Sequence, residues 1–142
     1  MTIAEVKLDY AERALKKFHN TKSVNSQGCY IPRKKPRKDG YVRFSITKGS
    51  SVNALGYPTG ETTFYIHHLS WYVAGRSVPE DSTCAQISHL CHNSTCFNVE
   101  HLVLEDPKTN NSRKGCLGTI KCDCCGHNIK LCKHIPPCKT HL

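Results

Sequence analysis

Ten cysteines and nine histidines restrict what this chain of 142 residues can fold into more than any other feature. They alternate at short spacings, most densely after Cys84. A disulfide scaffold would suit an even number of cysteines, but the first residues, MTIAEVKLDYAERALKK, mix acids with bases and do not resemble a secretion signal. Thiolate and imidazole are the ligands that Zn²⁺ prefers, so the pattern predicts zinc sites that stabilise one domain with a modest core.

The charge of the chain indicates the kind of partner. Lys and Arg outnumber Asp and Glu by 20 to 11, which gives a formal charge of +9 and favours a polyanion such as nucleic acid, with an acidic membrane surface as the alternative. No apolar run approaches the ~20 residues that a transmembrane helix needs. We therefore expect a soluble protein without a membrane partner that is nuclear or otherwise intracellular and not secreted.

Two helices are predicted before the dense Cys/His region. Within residues 3–19, the apolar residues that recur at three- and four-residue steps are Leu8, Ala11, Leu15 and Phe18. The segment TTFYIHHLSWYVAG shows helical spacing from Tyr65 onward and has Gly75 at its expected end. We expect His67 and His68 to lie on the helix surface or to pack, and not to bind a metal.

Between these helices, a basic loop leads into an alternating strand. The cations of the loop are Arg33, Lys34, Lys35, Arg37 and Lys38. Alternation places Val42, Phe44 and Ile46 on one face of the strand. Arg43 then points away from the core, and we expect the strand to present Lys48 outward as well. A twisted β-ribbon fits the major groove of DNA, so loop and strand predict a nucleic-acid contact, although such a run is also typical of a solvated surface.

The segment HLCHNSTCFNVEHL, which begins at His89, carries the densest pattern. Cys91, Cys96 and His101 follow C-x4-C-x4-H, a spacing that suits three ligands of one zinc ion. This spacing supplies no fourth ligand. The nearby candidates for it are His89 and His92.

The flanking segments predict a strand in CAQISHL, a returning strand in FNVEHLVLE and a helix that starts in DPKTNNSRKG. Asp106 suits the N-cap of this helix and Pro107 its first position. Asn110 and Arg113, three residues apart, share one helix face. The predicted order is therefore strand, metal-rich loop, strand and helix.

SHLCHNSTCFNVEHL together with the later NNSR resembles the His-Cys box of the homing endonucleases, part of the ββα-metal (His-Me finger, HNH-like) nuclease superfamily. CYIP resembles the segment that supplies the distant fourth zinc ligand in that family, which implies that Cys29 completes the first site. HHLSWYVAGRSVPED resembles the helix and turn before this motif in HNH-type enzymes. The resemblance implies an α+β fold: a small zinc-stabilised ββα-metal nuclease with an N-terminal β-sheet for DNA contact and few helices.

The resemblance also implies roles for three side chains. His89 matches the general base, Asn110 the protein ligand of a catalytic Mg²⁺, and Arg43 the arginine that contacts the scissile phosphate. Asn111 is the alternative to Asn110. Such an enzyme cuts double-stranded DNA at specific sites and promotes the mobility of its own intron. Enzymes of this type act as two-fold dimers, so a homodimer and a monomer both stay open here.

A second zinc site is predicted in the tail. Cys132, His134 and Cys138 follow C-x-H-x3-C, which resembles the second structural site of the family. Cys116 follows the predicted helix as the family's fourth ligand does, whereas Cys125 lies at the family's distance from Cys132; we favour Cys116. The insertion KCDCCGH departs from the family pattern and supplies spare thiols or part of a third site, namely Cys122, Cys124, Cys125 and His127.

We expect one endonuclease domain over residues 1–142. Its parts are an N-terminal helix and linker (1–28), basic DNA-contacting strands (29–60), a catalytic ββα-metal core (61–115) and a zinc-bound C-terminal segment (116–142). Cys84 fits none of the ligand sets and is expected to be a buried thiol. The rival hypotheses are a noncatalytic zinc module that binds DNA or RNA and an HNH-like nuclease of repair or restriction. A mere binder would need neither His89 nor Asn110.

Overall fold

The computed structural model describes residues 3, 6–46, 62–79, 83–116 and 118–139. Within these ranges the elements are, in chain order, α1 (Leu8–Thr21), β1 (Ser23–Val24), β2 (Tyr30–Ile31), β3 (Arg43–Ile46), β4 (Thr62–Tyr65), α2 (Ile66–Val73), β5 (Gln86–His89), β6 (Leu102–Glu105), α3 (Pro107–Ser112), β7 (Thr119–Lys121) and β8 (Asn128–Lys130). The strands form separate antiparallel pairs, β1–β2, β3–β4, β5–β6 and β7–β8. The described chain is thus an α+β fold with few helices and short strands. No helix in these ranges is long and apolar enough to cross a membrane.

Helix α1 starts later than the predicted range 3–19 and ends at Thr21. Ala11 and Leu15 are buried, as their spacing predicts. Leu8 lies in the helix, as its spacing predicts, but its side chain is 48% exposed, and the chain before the helix buries Val6 in the core. The helix therefore covers the core with its second and third turns.

Strands β3 and β4 supply the centre of this core. Their register pairs Phe44 with Phe64, and both rings are buried together with Val42. Arg43 lies on the opposite face of the strand, as the alternation predicts. Phe97, which belongs to the Cys/His-rich loop, is fully buried in the same cluster. The loop is consequently anchored to the core by an aromatic side chain as well as by its ligand residues.

Helix α2 follows β4 directly. Tyr65 is the last residue of the strand and the N-cap, one position before the helix begins. Gly75 has φ +78°, a left-handed conformation that favours glycine just past a helix end, as predicted. His67 is buried and His68 is half-buried in the packing of this helix. Of the two positions expected for these histidines, on the helix surface or in its packing, the structure shows the second.

The predicted order of strand, loop, strand and helix is present from β5 to α3. Strands β5 and β6 pair antiparallel with His89 opposite Leu102. The returning strand is shorter than FNVEHLVLE suggests, because Val99–His101 form a 3₁₀ turn before it. Asp106 caps α3, its Oδ1 accepting a hydrogen bond of 2.6 Å from the Thr109 main-chain N–H.

The last strand pair, β7–β8, forms a hairpin with no apolar core of its own. Every residue from 119 to 130 is half-buried or exposed, and Ile129 is 43% exposed. The chain after the hairpin returns to the body, where the Lys139 N–H donates to the Leu90 carbonyl at 2.6 Å. The hairpin is thus followed by a segment that is bonded to the body of the molecule at Lys139.

Candidate metal centres and the adjoining cleft

The first Cys/His cluster joins two distant parts of the chain. Cys29, Cys91, Cys96 and His101 are all buried, and their ligand atoms lie within 4.8 Å of one another. His101 Nδ1 is 3.6 Å from the sulfur atoms of both Cys29 and Cys96. Tetrahedral zinc with Zn–S of about 2.3 Å and Zn–N of about 2.0 Å separates such atoms by roughly 3.5 Å. The spacing therefore fits a zinc ion, with Nδ1 as the imidazole ligand atom.

Side-chain amides hold this cluster in place. Asn25 Oδ1 accepts a hydrogen bond of 2.9 Å from the Cys29 N–H and shapes the turn before it. Asn98 Nδ2 donates to the Gly28 carbonyl at 2.9 Å, while Asn98 Oδ1 accepts from the Glu100 N–H at 3.1 Å. Asn98 therefore connects the N-terminal turn to the 3₁₀ turn that carries His101.

Electrostatics also favour a cation in the cluster. Hydrogen bonding to the Cys96 thiolate raises the pKa of Cys91, and hydrogen bonding from Cys91 lowers the pKa of Cys96. Burial raises the pKa of Cys29. Without a cation, ionisation of one thiol, Cys96, is favoured, and ionisation of the other two is disfavoured. A divalent ion removes this conflict, because it compensates several buried thiolates at once.

The second cluster consists of Cys116, Cys132, His134 and Cys138, again with all ligand atoms within 4.8 Å. His134 Nδ1 lies 3.3 Å from Cys132 Sγ and 3.6 Å from Cys138 Sγ. The structure brings Cys116 into this set and places Cys125 in a different group, with Cys122 and Cys124 in the turn of the β7–β8 hairpin. Cys84 was expected to be buried but is exposed.

Arg113 connects α3 to both β6 and the second cluster. Its guanidinium is 2% exposed and donates to both carboxylate oxygens of Glu105, at 2.6 and 2.8 Å. It also donates to Cys138 Sγ at 3.3 Å and to the Pro136 carbonyl at 2.8 Å. The bond to Glu105 raises the pKa of Arg113; burial tends to raise the pKa of Glu105, but the bonds from Arg113 lower it. From the sequence, Arg113 was expected only to share a helix face with Asn110.

A cleft of about 310 Å³ lies beside these clusters. Its lining residues are Tyr41, His89, His92, Ser94, Asn110, Arg113, Lys114 and Gly115. His89 enters from the end of β5 and Asn110 from α3. Folding therefore brings together two of the three side chains for which the resemblance implies a catalytic role.

His89 has one defined protonation pattern in this cleft. Its Nε2 lies 3.0 Å from the Cys96 carbonyl oxygen, and because a carbonyl can only accept, Nε2 carries the proton and Nδ1 keeps the lone pair. Burial lowers the pKa of His89 to about 4, so the ring is neutral near pH 7. The rings of His67 and Tyr41 pack against it at centroid distances of 4.6 and 6.2 Å. The imidazole is thus fixed in tautomer and orientation.

Asn110 is oriented by a residue that the sequence analysis did not single out. Its Nδ2 donates to Gln86 Oε1 at 2.7 Å. Within the described ranges no hydrogen-bond donor reaches Asn110 Oδ1, so the amide oxygen is available as a ligand. An amide oxygen is the kind of hard donor that Mg²⁺ accepts. Gln86 lies in the first position of β5, a place that carries no recognisable motif.

Arg43 and the basic loop lie outside the lining of this cleft. Arg43 pairs with Asp39 at 2.7 Å and donates to Tyr65 Oη at 2.9 Å. The Tyr65 ring packs on Tyr41, whose ring lies beside His89. The loop cations Arg33, Lys34, Lys35, Arg37 and Lys38 are all exposed. Lys48 lies outside the described residues.

The buried ion pair of Arg113 yields a stability prediction. Arg113→Leu leaves the Glu105 carboxylate buried without its partner, so the free energy of unfolding should fall by about 3–5 kcal/mol. Arg13→Leu is the matched control, because the Arg13–Asp9 pair is 60% and 83% exposed and its loss should change stability little. Urea unfolding of the zinc-loaded proteins measures both. Equal effects of the two substitutions would contradict the role assigned to Arg113.

The whole of this arrangement lies within a recognised sequence family. A family model described as the zinc-binding loop region of homing endonuclease matches residues 28–142. Neither curated proteins nor solved structures give a match. The short antiparallel strands, few helices and Cys/His clusters agree with the small zinc-stabilised His-Me finger fold that the sequence predicts. Because the matched range spans most of the 142 residues, the chain belongs to the family of the zinc-binding loop region of homing endonuclease.

Proposed function

We propose that the chain is a Mg²⁺-dependent, site-specific endonuclease of the His-Cys box type that cuts double-stranded DNA. The observation that carries this proposal is the shared cleft of His89 and Asn110. In that cleft an imidazole with a fixed tautomer lies beside an amide whose oxygen has no donor in the described part of the chain. A protein that only binds DNA needs neither feature.

His89 acts as the general base in this proposal. The hydrogen bond from Nε2–H to the Cys96 carbonyl directs the ring and leaves Nδ1 to take a proton from a water molecule in the cleft. Cys96 belongs to the first cluster, so the zinc-binding loop also positions the base. The packed rings of Tyr41 and His67 restrict rotation of the imidazole. This restriction keeps the lone pair in one direction during the reaction.

Asn110 holds the catalytic Mg²⁺ through Oδ1. The bond from its Nδ2 to Gln86 Oε1 supports this choice of atom, because it occupies the other end of the amide. When bound, Mg²⁺ supplies stabilisation of the negative charge on the scissile phosphate and on the departing 3′ oxygen. Arg113 supports Asn110 indirectly, because it fastens α3 to Glu105 and to the second cluster.

Arg43 contacts the scissile phosphate in this scheme. Its guanidinium is already positioned by Asp39 and by the hydroxyl of Tyr65, and its side chain is 31% exposed. An arginine whose guanidinium is held in place and partly exposed suits a phosphate, which accepts several hydrogen bonds.

Zinc occupies two sites in the proposed enzyme. The ligands of the first are Cys29, Cys91, Cys96 and His101, and those of the second are Cys116, Cys132, His134 and Cys138. Both sets offer three thiolates and one imidazole, which is a common composition for structural zinc. We also propose that two copies act together on duplex DNA, because cutting two strands takes two cleavage sites.

The zinc assignment predicts a stoichiometry and a folding defect. Elemental analysis should find at least two zinc ions per chain. Cys29→Ser should lose one ion and lower the melting temperature, because Cys29 joins the N-terminal turn to the loop at residues 91–101. Cys84→Ser, at an exposed cysteine outside both sets, should leave zinc content and melting unchanged. A Cys29→Ser protein that melts like wild type with full zinc would exclude Cys29 as a ligand.

The basic loop predicts the salt dependence of DNA binding. Alanine at Arg33, Lys34, Lys35, Arg37 and Lys38 should lower the slope of log affinity against log salt by about 0.9 for each phosphate that the variant no longer neutralises. A control with the same change in charge replaces five exposed lysines elsewhere, namely Lys7, Lys108, Lys121, Lys130 and Lys133. Fluorescence anisotropy over a salt series measures the slopes. The loop is only a solvated surface if the two variants behave alike.

The cleft predicts how catalysis separates from binding. His89→Ala should keep zinc, fold and DNA affinity but cut about 10²–10⁴-fold more slowly, because the base is gone. Asn110→Ala should show a similar loss at low Mg²⁺ and partial recovery at high Mg²⁺. His127→Ala, an exposed histidine in the hairpin turn, is the control that should cut normally.

Nicking of a randomised duplex library, followed by sequencing of the ends, supplies the measurement for these variants. Loss of zinc in His89→Ala would make that residue a ligand and not a base. Wild-type protein that binds duplex DNA tightly and never nicks it with Mg²⁺ or Mn²⁺ would establish the noncatalytic zinc module instead. Cleavage at many unrelated sequences would favour an HNH-like repair or restriction nuclease.

A further inference from the structure

The β7–β8 hairpin lacks the interactions that usually stabilise such an element. Each strand has three residues, and no residue from 119 to 130 is buried. A two-stranded hairpin is marginally stable in water unless it has an apolar face to bury or another element to pack on. Ile129 and Leu131 are 43% and 42% exposed, so the hairpin has little apolar burial. Some other interaction must order it.

The turn of this hairpin brings three cysteines together. The ligand atoms of Cys122, Cys124 and Cys125 lie within 4.8 Å of one another, and none of the three is in a disulfide. They belong to neither of the two Cys/His clusters. Cys125 is excluded from the second cluster by its position at the far end of the hairpin, where Cys116 supplies the fourth ligand atom instead.

The main chain of the turn is arranged around the first of these cysteines. The Cys122 N–H donates to the His127 carbonyl at 2.8 Å, and the Gly126 N–H donates to the Cys122 carbonyl at 2.9 Å. Gly126 has φ +72°, which lets the chain reverse immediately after Cys125. The order C-x-x-C-G from Cys122 to Gly126 thus forms a tight turn with its sulfur atoms on a common side.

We propose that Cys122, Cys124 and Cys125 form a third zinc site with three thiolate ligands and a fourth position open to water or another exogenous ligand. This site lies at the tip of the β7–β8 hairpin and supplies the order that apolar burial does not. It is independent of the proposed nuclease chemistry. His127 offers its carbonyl to the turn and is not part of the group of ligand atoms.

The spacing of the sulfur atoms in the turn is close to that of zinc ligands. Cys122 Sγ and Cys124 Sγ are 3.1 Å apart, whereas two sulfur atoms on one tetrahedral zinc are about 3.8 Å apart. Binding needs a small outward movement, which an exposed turn permits.

The open position and the exposure of the turn distinguish this site from the other two. Cys124 and Cys125 are exposed. The three cysteines of the first cluster, in contrast, are buried. A ligand from solution can reach a metal in the hairpin directly. The third ion should therefore leave to a competing chelator before the other two ions do.

The experiment compares zinc content in proteins that are first reduced, then equilibrated with excess zinc and desalted. Wild type should hold three zinc ions per chain, and the triple variant Cys122→Ser, Cys124→Ser, Cys125→Ser should hold two with an unchanged main melting transition. Cys84→Ser and Asp123→Asn are matched controls, an exposed cysteine outside the group and an exposed carboxylate within the turn, and both should hold three.

Two further measurements test the character of the site. With 4-(2-pyridylazo)resorcinol as the chelator, wild type should release one ion in a fast phase that the triple variant lacks. Amide hydrogen exchange in residues 119–130 should be slower in zinc-loaded wild type than in the triple variant, while exchange in β5 and β6 is the same in both.

Three outcomes would overturn the third site. Wild type with ten free thiols after denaturation and only two zinc ions shows that the turn does not bind zinc. Eight free thiols with two zinc ions show a disulfide in the turn instead. Three ions that persist in the triple variant place the third ion elsewhere. None of these results bears on cleavage by His89 and Asn110, so failure of this site and failure of the proposed nuclease are distinguishable.

Discussion

The buried cluster of Cys29, Cys91, Cys96 and His101 is the constraint on which the rest of the structure depends. It connects the N-terminal turn to a loop more than sixty positions further along the sequence. Three thiols and an imidazole cannot share a dry cavity in their ionised form without a cation, so folding of this region is coupled to metal binding. The same loop places Phe97 in the apolar core and the Cys96 carbonyl against His89. One cluster therefore contributes to the core and to the cleft.

A second connection fixes Arg113, which also lines the cleft. The buried guanidinium of Arg113 donates hydrogen bonds to the Glu105 carboxylate and to Cys138, a member of the second cluster. Asn110 lies one helical turn earlier on α3 and is held by Gln86 of β5. The first cluster is thus linked to the cleft through the bond between Cys96 and His89, and the second through the bond between Cys138 and Arg113. The apolar core of so small a chain is modest, with a main cluster around α1, α2, β3 and β4 and a smaller one of Trp71, Ile87 and Leu102, so ligand residues and hydrogen bonds add to what it holds together.

Much of this organisation could be predicted from local sequence, because local spacing reports local geometry. The C-x4-C-x4-H spacing, the Asp-Pro start of α3 and the alternation at Val42 and Phe44 each depend on a few adjacent residues, and the structure agrees with all three patterns. Predictions at element boundaries were less accurate. Leu8 fits the helical pattern but is exposed, because the preceding chain and not the helix covers that part of the core.

The sequence by itself determined the composition of the site: zinc-type ligands in two sets, a strand-loop-strand-helix order, and a histidine and an asparagine, His89 and Asn110, that line one cleft in the folded chain. Tertiary structure alone decided which residues meet across the chain. It brought Cys116 and not Cys125 to the second cluster, gathered the remaining thiols in a separate turn, and supplied Gln86 and Glu105 as partners of Asn110 and Arg113. The physical reason is that contacts between distant residues depend on how strands pair and how the chain returns, which the spacing of neighbouring residues does not encode.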